Sequence, residues 1–183
     1  MGLIWTLSAA LWGVAEATVF FVVPDVLITY AAVRWNFRAG LKLSLVTALA
    51  AAAGGAVLWW WGAVDANAAR AAMLRVPAIG PDLLEKARAG MAGANWPLNL
   101  TMGALLGTPY KVYAVEAGAR GIDALLFVAL SIPARLVRFV LTAALAVTGH
   151  ALFKHLGIER WSMRVLALAW IVVYTTYWII RGL

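Results

Sequence analysis

From Gly121 to Leu152 the chain runs for 32 residues with one acid and two arginines, well beyond the roughly 10–14 residues of an average globular helix. Leu43 to Gly62 and Val165 to Ile180 are two further stretches of the same kind. Each is long and apolar enough to cross a hydrocarbon core of roughly 30 Å as a helix. Composition agrees: 64% of the 183 residues are hydrophobic and only 13% charged, with a mean hydropathy of +0.88. The expectation is an all-α, multi-pass membrane protein. Seven tryptophans (Trp35, Trp59, Trp60, Trp61, Trp96, Trp161 and Trp178) lie where apolar runs meet their flanks, which suits an aromatic belt.

The net charge of +7 would suggest nucleic acid in a soluble protein. Here the cations flank apolar runs, as Arg34, Arg38 and Lys42 do, or Lys154, Arg160 and Arg164, so headgroup contact explains them and nucleic acid is not an expected partner. There is no cysteine, and His150 and His155 sit near the end of one span. No metal site or cofactor is expected. The N-terminus lacks a basic leader segment and reads as part of the mature fold.

The most informative stretch is "GVAEATVFFVVPDVL", residues 13–27, which carries Glu16 and Asp25 in an almost continuous apolar run. A charge at mid-membrane costs roughly 2.5–3.5 kcal/mol on insertion scales. Pro24 cannot donate to the carbonyl of Phe20. On an unbroken helix the two acids, nine residues apart, would point about 180° from one another. A re-entrant hairpin over 3–33, with limbs of 3–22 and 26–33 and its tip at Pro24, turns both toward one cavity.

Residues 96–119, "WPLNLTMGALLGTPYKVYAVEAGA", repeat the design around Gly107 and Pro109, with Lys111 directly after the break and Glu116 at the far end. Two interrupted apolar segments in corresponding positions of two halves point to a transporter's binding site; two kinked ordinary spans are the alternative. Between them, 63–95 holds "GPDLLEKARAGM". Its Leu83, Leu84, Ala87 and Met91 form a stripe that predicts a helix lying in the interface, a connector more than a lid. The single domain then continues with spans at 42–62, 121–152 and 163–181. Within 121–152, Arg135 and Arg138 share one helix face just after Pro133, and arginine cannot shed its charge to escape burial. They need acids, water or an anionic ligand, unless both snorkel to an interface. Gly103-xxx-Gly107 offers a small-residue packing pattern, within the chain or between two copies as a homodimer.

"GVAEATVFFVVPDVLI", "GTPYKVYAVEAG" and "ARLVRFV" resemble, in order, three motifs of the DedA/VTT (SNARE-associated Golgi) superfamily, nearest to its small YqaA-like branch, over roughly residues 11–155. Three positions depart from the pattern. Leu105 and Leu106 stand where larger members carry a basic residue, Val23 where a second proline is frequent, and Ala134 where glycine is common. The resemblance implies two re-entrant hairpins meeting head to head, in a protein of the bacterial inner membrane. It also implies movement of polyprenyl phosphate or phospholipid, with a link to the proton-motive force.

The in-membrane charges make a mechanism legible without the family. Glu16 and Asp25 are the expected proton-coupling acids; Lys111, Arg135 and Arg138 are the expected phosphate ligands, with one positive charge to spare. The expected activity is a proton-coupled flippase for an anionic lipid phosphate. An uncoupled phospholipid scramblase, a proton-coupled small-molecule transporter and a purely structural use of the ion pairs are the alternatives. No enzyme is expected, because no nucleophile with a base beside it is in view.

Overall fold

The computed structural model describes residues 2–181, and among them every regular element is helical. In chain order these are α1 (Leu3–Thr18), α2 (Asp25–Arg34), α3 (Phe37–Val64), α4 (Ala66–Met73), α5 (Pro81–Gly90), α6 (Trp96–Leu105), α7 (Tyr110–Ala119), α8 (Ala124–His155) and α9 (Ser162–Arg181), the last preceded by a 3-10 turn, Glu159–Trp161. Three helical stretches are long and apolar enough to cross a membrane: Phe37–Val64, Ala124–His155 and Glu159–Ile180. Side-chain caps set three of the starts. Asn36, Asp65 and Asp123 accept hydrogen bonds from the amides of Ala39, Ala68 and Leu126, at 3.0, 2.9 and 2.8 Å.

The first apolar segment breaks over residues 19–24, so its first limb ends at Thr18, earlier than the hydropathy suggests, and Pro24 becomes the N-cap of α2. The chain folds back there. Trp5, at the start of α1, stacks on Tyr30 and meets Trp35 edge-on near the end of α2, with ring centroids 5.6 and 5.0 Å away. The second segment breaks at residues 106–109. Gly107 adopts φ +82°, which glycine reaches without the Cβ penalty, and Pro109 caps α7. Here too the limbs return on each other: the Tyr113 ring of α7 fills the space a side chain would need at Gly103 of α6. The Gly103-xxx-Gly107 pattern therefore splits its duties. Gly103 packs within the chain, while Gly107 serves the turn and faces open space.

α7 is the centre of the molecule. Every residue from Tyr110 to Gly118 is buried, enclosed by α1, α3, α4, α5, α6 and α8. The closest approach is to α3, where a Cβ added at Gly118 would overlap the Trp59 carbonyl oxygen and one at Gly62 that of Val115. α8 runs unbroken through Pro133, leaving the Ala129 carbonyl without its usual partner.

Two expectations need correction. The stripe on α5 does not face lipid: Leu83, Ala87 and Met91 are buried in the core around α7, because α7, buried along almost its whole length, needs cover on this side. Nor is the 63–95 segment a mere connector. Ala78 takes a left-handed φ of 68° and, with Ile79, turns inward to bury at the edge of the central cavity. Several flanking tryptophans also have work inside the fold, Trp59 donating to the Ile122 carbonyl at 2.9 Å and Trp178 packing edge-on against Phe21.

Gly118→Ala should lower thermal stability by about 1–3 kcal/mol, the usual range for overpacking. Gly149→Ala, whose added methyl meets open space, should be neutral or mildly stabilising. Melting of both detergent-solubilised variants, followed by size exclusion after heating, checks the contrast.

Candidate functional site: a charged cavity between two helix breaks

Breaking a helix exposes backbone groups, and the structure shows what meets them. In the first break the Phe20 carbonyl accepts from Lys111 Nζ at 2.9 Å, the Val22 carbonyl from Trp12 Nε1 at 2.8 Å, and the Val23 amide donates to the Tyr174 hydroxyl at 2.8 Å. In the second, the Thr108 amide reaches back to the Gly103 carbonyl at 2.9 Å, and Arg138 Nη1 lies 3.4 Å from the Ala104 carbonyl. Lys111 and Tyr174, from the second half, thus satisfy broken backbone in the first.

Because α1 and α2 fold back, their acids reach two arginines one turn apart on α8. Glu16 is paired and hydrogen-bonded with Arg135, both nearly fully buried. Asp25, wholly buried, accepts from Arg138 Nη2 at 2.9 Å and from the Thr142 hydroxyl at 3.0 Å. Lys111 is buried as well, and unlike Arg135 and Arg138 of this cluster, which each pair with an acid, its hydrogen bond goes to a backbone carbonyl. Arg135 is further held by aromatic faces, its guanidinium carbon 4.7 Å from the Tyr110 ring centroid and 5.1 Å from that of Phe139. The Tyr110 ring lies flat on Phe127, 5.9 Å away, and it fits against α3 because residue 55 is glycine.

These groups surround a cavity of about 190 Å³. One water needs only about 10–15 Å³, so the space admits several waters or a small headgroup. Glu16, Lys111, Arg135 and Arg138 line it, as do Gly107 and Pro109 of the second break. Asp25 and Pro24 do not; Pro24 is fully buried and Asp25 acts on the cavity through Arg138. The loop residues Val76 to Ile79 supply one edge, and Trp170, Tyr174 and Tyr177 of α9 another. Glu16, Lys111, Arg135 and Arg138 are therefore brought together here, with Asp25 behind Arg138. Arg135 Nε, enclosed in this wall, makes no hydrogen bond within the protein. Two cations neutralise two carboxylates, and Lys111 leaves the wall with one positive charge in excess.

The chain matches no family model, no curated protein and no solved structure.

Glu116 is not part of this cavity. It is wholly buried at the other end of α7 and forms a two-pronged pair with Arg70 of α4, at 2.6 and 2.8 Å. Those hydrogen bonds raise the Arg70 pKa further above its ordinary value. The pair pins the middle segment to α7. His150 lies away from the cavity, its Nδ1 2.8 Å from the Ser162 hydroxyl, and no cluster of three metal-ligating side chains occurs among the described residues.

Sequence reasoning missed Tyr110, Thr142, Trp170 and Tyr174. The signal for the last two was present: Trp170, Tyr174, Tyr177 and Trp178 recur at helical spacing on one otherwise lipid-facing helix. Tyr110 sits inside a motif already noted, but only the packing against Gly55 reveals its place under Arg135.

Removing one member of a buried ion pair costs about 3–5 kcal/mol, because the other charge is stranded. Arg135→Met should destabilise by that amount, and Glu16→Leu/Arg135→Met should recover most of the loss. Thermal unfolding of the single and double variants in one detergent measures the coupling; equal losses in both would separate Glu16 from Arg135.

Proposed function

We propose that this protein carries an anionic lipid phosphate across a bacterial inner membrane, coupled to protons, and that it is a DedA/VTT-like transporter of the YqaA-like kind. The observation that carries the reading is the charged cavity: two carboxylates and three cations, all buried but the partly exposed Arg138, gathered at one space between two broken helices, with one cation in excess. On this reading the α1–α2 and α6–α7 hairpins enter the membrane and return. Three of the four limbs fit: α2, α6 and α7 have ten residues each, about 15 Å or half a hydrocarbon core, while α1, with 16, is longer.

A phosphate suits the cavity for three reasons. Arginine forks grip its oxygens in pairs, while Lys111 contributes a point charge. The α7 N-terminus, at Pro109 and Tyr110, faces the same space and adds the positive end of a helix dipole. Third, Arg135 Nε is a buried donor still lacking an acceptor.

Proton coupling follows from competition. In the paired arrangement Glu16 and Asp25 occupy the arginines that a phosphate needs. A proton on Glu16 cancels its charge and frees Arg135, so proton and anion bind together and leave together. The hydrocarbon tail stays in the bilayer while the head traverses the cavity.

In liposomes, flipping of a labelled lipid phosphate should fall by roughly tenfold or more in Glu16→Gln and in Arg135→Ala, the loss expected when one charge-assisted contact of about 1.5–3 kcal/mol goes. Retained rates in both, with folding verified by thermal stability, remove the transporter. Uncoupled scrambling also uses a polar groove, and it is separated by an imposed pH gradient: coupled flux follows the gradient, whereas scrambling equilibrates the leaflets at the same rate without it.

A further inference from the structure

α9 is the least embedded of the long helices, and its apolar side chains are largely exposed. It is tied to the rest mainly by aromatic tips. Trp170 Nε1 donates to the Thr29 hydroxyl at 3.0 Å, the Tyr174 hydroxyl accepts from the Val23 amide, and Tyr177 donates to the Ala78 carbonyl at 3.3 Å. Between α9 and the first hairpin runs a second hollow of about 790 Å³. Its walls are apolar, formed by Val22 and Val26 on one side and by Leu166, Ala167 and Ile171 on the other. Along α9 it extends from Met163 to Ile179, about 24 Å at 1.5 Å per residue, most of the depth of a hydrocarbon core.

This groove and the charged cavity share a partition. Trp170 and Tyr174 line both, and in the first break Val23 faces the cavity while Val22 faces the groove. An amphiphile with a phosphate head and a long tail matches the juxtaposition: a small cationic chamber backs directly onto a long greasy channel, divided by two side chains and one strip of unwound backbone. A free phosphate would have no use for the groove, and an uncharged lipid none for the chamber.

We infer that the groove between α2 and α9 holds the hydrocarbon tail of the lipid whose phosphate sits in the charged cavity, with Trp170 and Tyr174 as the gate the head passes. The inference rests on the phosphate-carrying reading of the cavity and adds the side of entry. Tyr174 suits a gate, because its hydroxyl is held by a single amide of a non-helical segment and can be exchanged for a phosphate oxygen or a water without breaking a helix. The groove's length lets the tail keep contact as the head moves through the membrane.

The exposure of the groove allows a direct test with the full chain. Nanodiscs of phosphatidylcholine would contain either a diazirine-tailed phosphatidate or a diacylglycerol with the same tails, and photoadducts would be mapped by mass spectrometry. Phosphatidate should label Val26, Ala167 and Ile171 about tenfold more than diacylglycerol does, the bias one charge-assisted hydrogen bond supplies. Leu3, Leu7 and Leu11 on the lipid-exposed side of α1 should show no bias. Arg135→Ala should erase the preference. Ala167→Trp, which fills the groove from an exposed position, should cut both labelling there and flipping by a similar factor, whereas Leu145→Trp on exposed α8 should change neither. Equal labelling by the two lipids, with flipping still dependent on Arg135, overturns the tail groove and leaves the transporter intact. Biased labelling with flipping indifferent to Glu16 and Arg135 keeps the tail site and overturns transport.

Discussion

The structure depends on keeping five charges inside an apolar protein. Desolvating an ion costs several kcal/mol even after relaxation, and only close pairing with good hydrogen bonds offsets it. Glu16 with Arg135 and Asp25 with Arg138 meet that demand, and Thr142 takes up the second oxygen of Asp25. The pairs also dictate topology. Arg135 and Arg138 lie one turn apart on α8, so their acids must lie equally close in space, though nine residues apart in the chain. Only a fold-back at residues 19–24 achieves that, and the fold-back then leaves polar backbone that Lys111, Trp12 and Tyr174 satisfy. The ion pairs and the broken helix are thus one solution to one constraint.

α7 extends the argument, because its charges run against its own helix dipole. Lys111 stands in the first turn, beside the positive end, and Glu116 in the last, beside the negative end. Stability alone would favour the reverse. Glu116 is compensated by the Arg70 fork, which in return fixes α4 and hence the Val76–Ile79 edge of the cavity. Lys111 receives only a carbonyl, next to two arginines already committed to acids. A cation left without a carboxylate of its own, at the positive end of a helix, is a cost that an anion would relieve.

What could be read from the residues was what hydropathy and valence determine. Acids and prolines in apolar runs announced the breaks at Pro24 and at Gly107–Pro109, and the three long spans were visible by length alone. The ion-pair partners followed less directly: charge balance required acids opposite Arg135 and Arg138, but nothing in one dimension says that Glu16 takes the first and Asp25 the second. The stripe on α5 misled because amphipathicity records that one face avoids water without saying whether lipid or another helix covers it; here α7 does. Glu116 remained unexplained because its partner, Arg70, lies 46 residues away in a segment that reads as a linker. Tyr174 was hidden for a related reason, since a tyrosine in a terminal span reads as an interfacial anchor unless the unwound amide it accepts from is known.

The cavity and groove also bear on why the arginines should be paired at all when no lipid is held. On the proposed reading, an unpaired guanidinium in a chamber that backs onto an apolar groove would draw water or any passing anion, and would leave a conductive path through the bilayer. In that reading the pairs with Glu16 and Asp25 would close the chamber electrostatically, while Trp170 and Tyr174, which stand between it and the groove, would close it sterically. On the proposed reading, opening then demands two events that a lipid phosphate and a proton supply together: a head that displaces the Tyr174 contact and a charge change that releases Arg135. An ion without a tail would lack the groove's binding energy to bring it to the partition. A lipid without a charge would leave the pairs intact, so selectivity would come from the requirement for both rather than from a close fit to either.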